Sequence, residues 1–172
     1  AVIDNIVWTA FEEEELVEYC IPEGTNSSRY IDDFTTTGGT QNITNTGTGF
    51  STDGYGDFTA MIIEQVQGAS VDFSATINGG TAGFRIWVDW NNDGVFDNTA
   101  SNSEIVYFSP NVLYETHNGS FTIPSDKPAG NYRMRVMMKY ESTTIDPCEI
   151  NIGAPYYSYF YYYPAKLSLD VS

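Results

Sequence analysis

Apolar and polar residues alternate with period two through much of the chain. In Ser70–Ile77, Val71, Phe73, Ala75 and Ile77 share one face, and Asp72, Ser74 and Thr76 the other. Phe84–Trp90 repeats the pattern, with Phe84, Ile86, Val88 and Trp90 opposite Arg85, Trp87 and Asp89. Tyr132–Tyr140 is the clearest case: Tyr132, Met134, Val136, Met138 and Tyr140 face one way, and Arg133, Arg135, Met137 and Lys139 the other. Such alternation predicts antiparallel strands with one face on a shared core. Shorter strand-like pieces lie at 30–34, 41–45, 58–66, 104–109 and 119–123, and glycines and prolines break the chain between them. No helical pattern of normal length follows Cys20. The expected fold is all-β, an antiparallel β-sandwich of jelly-roll type.

The ends read differently. Residues 1–18 form an arm or linker, and residues 19–172 the sandwich. Val2, Ile3, Ile6, Val7 and Trp8 make an apolar segment that could add to a neighbour's sheet as an assembly strand. Thr9 and Glu12 have capping-box spacing, so a short N-terminal helix and an extended charged arm both fit. Near the other end, Tyr156, Tyr157, Tyr159, Tyr161 and Tyr163 make a segment aromatic on both faces, between Pro155 and Pro164. One core face cannot use that many rings, and phenols suit interfaces, so this segment is expected to contact a partner. Lys166–Val171 alternates as a last strand.

The candidate chemistry lies in one acidic stretch, Trp87–Asp97. Asp89, Asn91, Asp93 and Asp97 stand at positions one, three, five and nine of a loop, and Gly94 at position six. This is the oxygen spacing of a calcium loop, in which the Val95 carbonyl supplies the seventh position. Position twelve is Ala100, so the bidentate glutamate of a helix-flanked loop is missing. Glu104, four residues later, can serve if the loop is longer and closes on a strand. Asp, Asn and Gly also favour ordinary turns. The downstream glutamate and the number of oxygen-bearing side chains favour a cation, and Ca2+ over Mg2+. Zinc would require nearby His or Cys.

Composition narrows the function classes. The 172 residues carry 23 acids and 7 bases, a formal net charge of -16. That disfavours nucleic acid and anionic membrane surfaces, and no stretch is apolar enough to insert in a membrane. Ala1 reads as a mature or trimmed start. The two cysteines, Cys20 and Cys148, would be free thiols inside a cell or a disulfide outside it. In a β-protein rich in Thr, Ser, Asn and Gly the disulfide is favoured. It would close nearly the whole domain, worth about 4–5 kcal/mol by loop entropy. His117 stands alone in a Thr-His-Asn-Gly turn with no nucleophile signature, so no catalytic residue is assigned and the protein is expected not to be an enzyme. Arg133 and Arg135 are expected either as a solvated pair or as ion-pair partners of acids on an adjacent strand.

Several pieces together resemble the GEVED domain, a module of secreted and surface proteins of gliding and marine bacteria. They are Tyr19-Cys20 with Ser28-Arg29-Tyr30-Ile31, the Gly54–Thr59 turn, and Trp87–Asp97 with Glu104. Phe121-Thr122-Ile123-Pro124, Gly130–Val136 and Pro147-Cys148 follow in order, so the resemblance spans about residues 19 to 150. It implies a β-sandwich, a Cys20–Cys148 bridge, and export, often by the Bacteroidetes type of secretion route. It also implies use as a module of adhesins or as an appendage of secreted enzymes. The name-giving acidic motif is absent: the comparable stretch, 160–166, has aromatics and Pro164 in its place.

The expectation is therefore a secreted, extracellular, calcium-stabilised module for structural or adhesive assembly at the cell surface. It would self-associate into a homo-oligomer or polymer, such as a filament or surface layer. The alternative is a carbohydrate-binding module whose Trp87, Trp90, Phe96 and tyrosines stack on glycans.

Overall fold

The computed structural model describes residues 17–99 and 104–150, and the backbone of 158–159 and 166–169. These residues form nine strands: β1 Tyr30–Thr37, β2 Thr44–Asn45, β3 Ile62–Gln65, β4 Ser70–Asp89, β5 Ile105–Phe108, β6 Leu113–Thr122, β7 Asn131–Tyr140, β8 Ser158–Tyr159 and β9 Lys166–Leu169. A single 3-10 turn spans Thr52–Gly54. The fold is all-β, and the pairings are antiparallel except that of β3 with β9.

The two alternating stretches at 70–77 and 84–90 belong to one strand. β4 runs unbroken for 20 residues. Its first half lies between β1 and β6, and its second half between β7 and β5. Between the halves sit Gly79 and Gly80, at φ 89° and 125°, which side-chain-bearing residues rarely adopt. The β6 register slips at the same place, from Thr76↔Thr116 to Thr81↔Tyr114. The consequence is large. Phe73 and Phe84 are eleven residues apart, about 36 Å along a straight strand, yet their ring centroids are 5.5 Å apart. The strand doubles back, and its halves face each other across the core.

The rest of the sheet follows this bend. Its order is β2-β1-β4-β7-β9-β3. β3 then bridges Gln41, and the Ile43 carbonyl accepts from Thr36 N–H at 2.9 Å, so the path returns to β1. Inside lie Ile31, Phe34, Ile63, Val71, Phe73, Phe84, Ile86, Val88, Met134, Val136 and Met138, all buried.

The polar face of the second half of β4 and of β7 is not solvated. Trp87, Met137, Phe96 and Ile145 form a second buried cluster there, with Tyr19 and Tyr55 packed on it. Its cover consists of residues 17–20 and 143–148, joined by the Cys20–Cys148 disulfide, with Cα atoms 5.6 Å apart. The arginines under this cover bind carbonyls. Arg85 donates to Ile145 O at 2.9 Å and Thr143 O at 3.0 Å. Arg135, wholly buried, donates to Cys20 O at 2.7 Å and to Pro147 O, with its guanidinium 4.5 Å from the Phe96 ring centroid. Arg135 is thus not the solvated residue expected; it anchors the disulfide clasp. Arg133 lies over the Tyr19 ring at 5.1 Å.

His117 also departs from expectation. It lies within β6, fully buried and stacked on Phe84 at 5.2 Å. The Asn118-Gly119 pair that suggests a turn has a packing reason. Gly119 pairs with Phe73, and a Cβ there would fall 2.9 Å from the Phe73 ring and 2.5 Å from that of Tyr107.

Candidate metal centre

The acidic loop begins where β4 ends and closes where β5 begins. Asp89, the last residue of β4, is fully buried on the same side as Trp87. Its carboxylate organises the loop. Oδ2 accepts from Gly94 N–H at 3.0 Å and from the Tyr19 hydroxyl at 2.7 Å. Oδ1 accepts more distantly from the amides of Asn91 and Asp93, both at 3.3 Å. Asn91 donates to Asp93 Oδ2 at 2.9 Å and accepts from the Asp93 amide at 3.1 Å. Asp93 Oδ1 accepts from Val95 N–H at 2.9 Å. Gly94, at φ 84°, is obligatory: a Cβ there would lie 2.5 Å from Val17 Cγ1 and 2.9 Å from Glu18 O.

Glu104 closes the loop from the other side. The carbonyl of Glu104 accepts from Val88 N–H at 2.8 Å, which fixes its backbone beside β4. Its carboxylate, 3% exposed, spans the loop: Oε1 accepts from Trp90 N–H at 3.0 Å and Oε2 from Asp97 N–H at 2.9 Å. Burial is the main cause of a Glu104 pKa near 7. The Asp97 amide opposes the rise, and the charges of Asp89 and Asp93 add to it. The stand-in for a twelfth-position glutamate therefore reaches into the loop from the start of a strand.

Of the residues expected as ligands, Asp89, Asn91 and Asp93 are joined through one network, and Glu104 is held separately by the amides of Trp90 and Asp97. Asp97 meets Glu104 through its amide, and Val95 is exposed and tied in through its own N–H. The oxygens bond amides of the loop, and among the described residues no three His, Cys, Asp or Glu side chains converge as a metal-ligating group. The chemistry nevertheless fits a hard divalent cation. Every donor is oxygen, and Asp89 and Glu104 are buried with no ion pair to either among the described residues.

Sequence reasoning missed Tyr19, 70 residues from the carboxylate it bonds. It also missed Asn98, whose Oδ1 accepts from Trp87 Nε1–H at 2.9 Å and pins the far end of the loop. Trp87, Trp90 and Phe96, offered for stacking on sugars, are all buried. Trp90 packs edge-on against Tyr132 at 5.1 Å. Among the interface residues, Val2, Ile3, Ile6, Val7, Trp8, Tyr156, Tyr157, Tyr161 and Tyr163 lie outside the described residues, as does the helix or arm before residue 17. The backbone of Tyr159 pairs with Met138 in β8.

A comparison with curated proteins finds no match. The GEVED domain family model matches residues 83–157. That span starts in the second half of β4 and includes the acidic loop, Glu104, Arg135 and Cys148. It ends at residue 157, before the 160–166 stretch, which carries no acid. The chain therefore carries a GEVED domain, over residues 83–157.

Proposed function

We propose that this chain is an extracellular, calcium-stabilised β-module for structural or adhesive assembly at the cell surface. The observation that carries the reading is the joint burial of Asp89 and Glu104 in an all-oxygen loop. Two buried carboxylates without a cation are costly, and a divalent ion would neutralise them. Asp89, Asn91, Asp93, the Val95 carbonyl, Asp97 and Glu104 would hold it. When bound, the ion supplies positive charge between the end of β4 and the start of β5. The disulfide supports an oxidising location outside the cell.

On this reading the module is a rigid body and its termini make the contacts. The apolar arm Val2–Trp8 and the tyrosines of 156–163 carry self-association into oligomers or filaments. Light scattering coupled to size-exclusion chromatography of the full chain and of a chain lacking residues 1–18 tests this. Multimers that revert to monomers on truncation support it. A strict monomer in both forms removes it.

A further inference from the structure

The loop is held from outside as well as from within. Val17–Cys20 crosses over it as a strap. A Cβ on Gly94 would meet both Val17 and Glu18, so the strap lies directly on the sixth position of the loop. Tyr19 places its hydroxyl 2.7 Å from Asp89 Oδ2, and its ring lies 5.2 Å from that of Phe96. The next residue, Cys20, is fixed at three points: the bond to Cys148, Arg135 donating to its carbonyl at 2.7 Å, and the Arg135 guanidinium 3.1 Å from its sulfur. A chain of direct contacts thus runs from disulfide to strap to first ligand position.

We propose that Tyr19 is a positioning residue for the cation loop, and that the Cys20–Cys148 disulfide sets the loop's calcium affinity through it. This rests on the calcium reading given above. The two oxygens of Asp89 are held differently. Oδ2 is saturated by the Tyr19 hydroxyl and the Gly94 amide. Among the described residues Oδ1 has two long amide contacts, and it is the oxygen left for an ion. Without the hydroxyl, a buried carboxylate loses one of two short donors and can rotate away from the ligating orientation. Partners of this kind around metal ligands typically control affinity by about 10–100-fold. Without the disulfide, the strap has no covalent hold, and Tyr19 is no longer delivered to Asp89.

Calorimetric titration with calcium chloride tests this, below the melting range, on wild type, Tyr19→Phe, Tyr19→Leu and the Cys20→Ser/Cys148→Ser double variant. Circular dichroism in chelator verifies that each is folded. Tyr19→Phe keeps the ring against Phe96 and removes only the hydroxyl. The expected result is a Kd about 10–100-fold weaker in Tyr19→Phe. Tyr19→Leu should be similarly weakened, because the hydroxyl is the active group. The double cysteine variant should be weakened likewise, with little further loss when Tyr19→Phe is added. A role confined to folding would shift melting in chelator and leave the folded-state Kd unchanged.

If the cysteine variant does not fold, the oxidised wild type supplies the reciprocal measurement. Dithiothreitol gives two electrons and two hydrogens to the bridge and leaves as its own cyclic disulfide. At equilibrium in a dithiothreitol redox buffer, calcium should shift the bridge toward its oxidised form, and more in wild type than in Tyr19→Phe. Calcium binding by Tyr19→Phe within threefold of wild type, or an oxidised fraction in the redox buffer that is the same with and without calcium, would overturn the proposal. Failure of wild type to bind calcium would instead overturn the loop reading, and this inference with it.

Discussion

Glu104 and Asp89 come from opposite ends of the acidic loop and are both buried, and the charge of Asp89 adds to the rise in the Glu104 pKa. Burial contributes most to that rise. A glutamate just before β5 thus lies near enough to the first loop position to feel its charge, and the electrostatics of the site follow from this pairing.

The pH dependence of the cation-free protein follows. The Glu104 pKa is about 7 in the folded state, above its ordinary value of 4.5. The folded state therefore holds the proton more tightly than the unfolded one. Stability in chelator should fall as pH rises from about 4.5 through 7, by at most about 3 kcal/mol. Glu104→Gln should abolish this fall and weaken calcium binding at least about tenfold. Urea midpoints against pH, in chelator, measure the first effect, and calorimetry the second. A wild-type profile that parallels that of Glu104→Gln would contradict the assignment.

His117 contributes in the opposite direction. Burial lowers its pKa to about 4 from 6.5, with the Ala82 backbone partly opposing. The unfolded state is then protonated first. This stability is fully present above about pH 6.5 and is lost as pH falls toward 4, by up to about 3 kcal/mol. His117→Phe keeps a ring against Phe84 and should be less acid-sensitive than wild type over that window. Equal acid sensitivity would contradict a buried, neutral His117.

Gly94 and Gly68 separate two costs of a side chain. Both have positive φ, 84° and 77°, but only Gly94 faces neighbours that a Cβ would strike. Gly68→Ala should cost about 1 kcal/mol for backbone strain alone. Gly94→Ala should cost about 2–4 kcal/mol and displace the strap. Chemical denaturation in chelator gives both values. Equal losses would show that Val17 and Glu18 yield freely.

Arg135 tests the second core layer. Arg135→Met removes a buried charge together with the donors to Cys20 O and Pro147 O, and leaves those carbonyls without it. The expected loss is about 2–4 kcal/mol. Arg135→Lys should recover only part of it, because an ammonium cannot span both carbonyls as the planar fork does. Full rescue by lysine would show that charge alone matters.

These residues also show what the sequence could reveal. The alternation of Val71, Phe73, Ala75 and Ile77 was legible because one side of that half of β4 meets solvent. Arg85 and Arg135 alternate equally well but misled, because their side is covered by segments brought in by Cys20 and Cys148. A period of two cannot register such distant cover. The turn that joins Asp89, Asn91 and Asp93 around Gly94 was legible because a loop encodes its own geometry. Tyr19 was not, since its hydrogen bond depends on the clasp. His117 looks like a turn residue in the sequence because Gly119, which makes room for the Phe73 and Tyr107 rings, resembles a turn glycine. The doubling back of β4 depends on Gly79 and Gly80, and two adjacent glycines look the same in a hairpin as at a bend within one strand.

The most direct measurement is the melting temperature of the oxidised chain with excess calcium chloride and with chelator, at pH 7 and fixed ionic strength. The account predicts a higher melting temperature in calcium, rising with calcium concentration as ligand linkage requires. It also predicts that the rise is absent in Asp89→Asn/Glu104→Gln. Identical melting with calcium and with chelator, or an equal rise in that double variant, would contradict it.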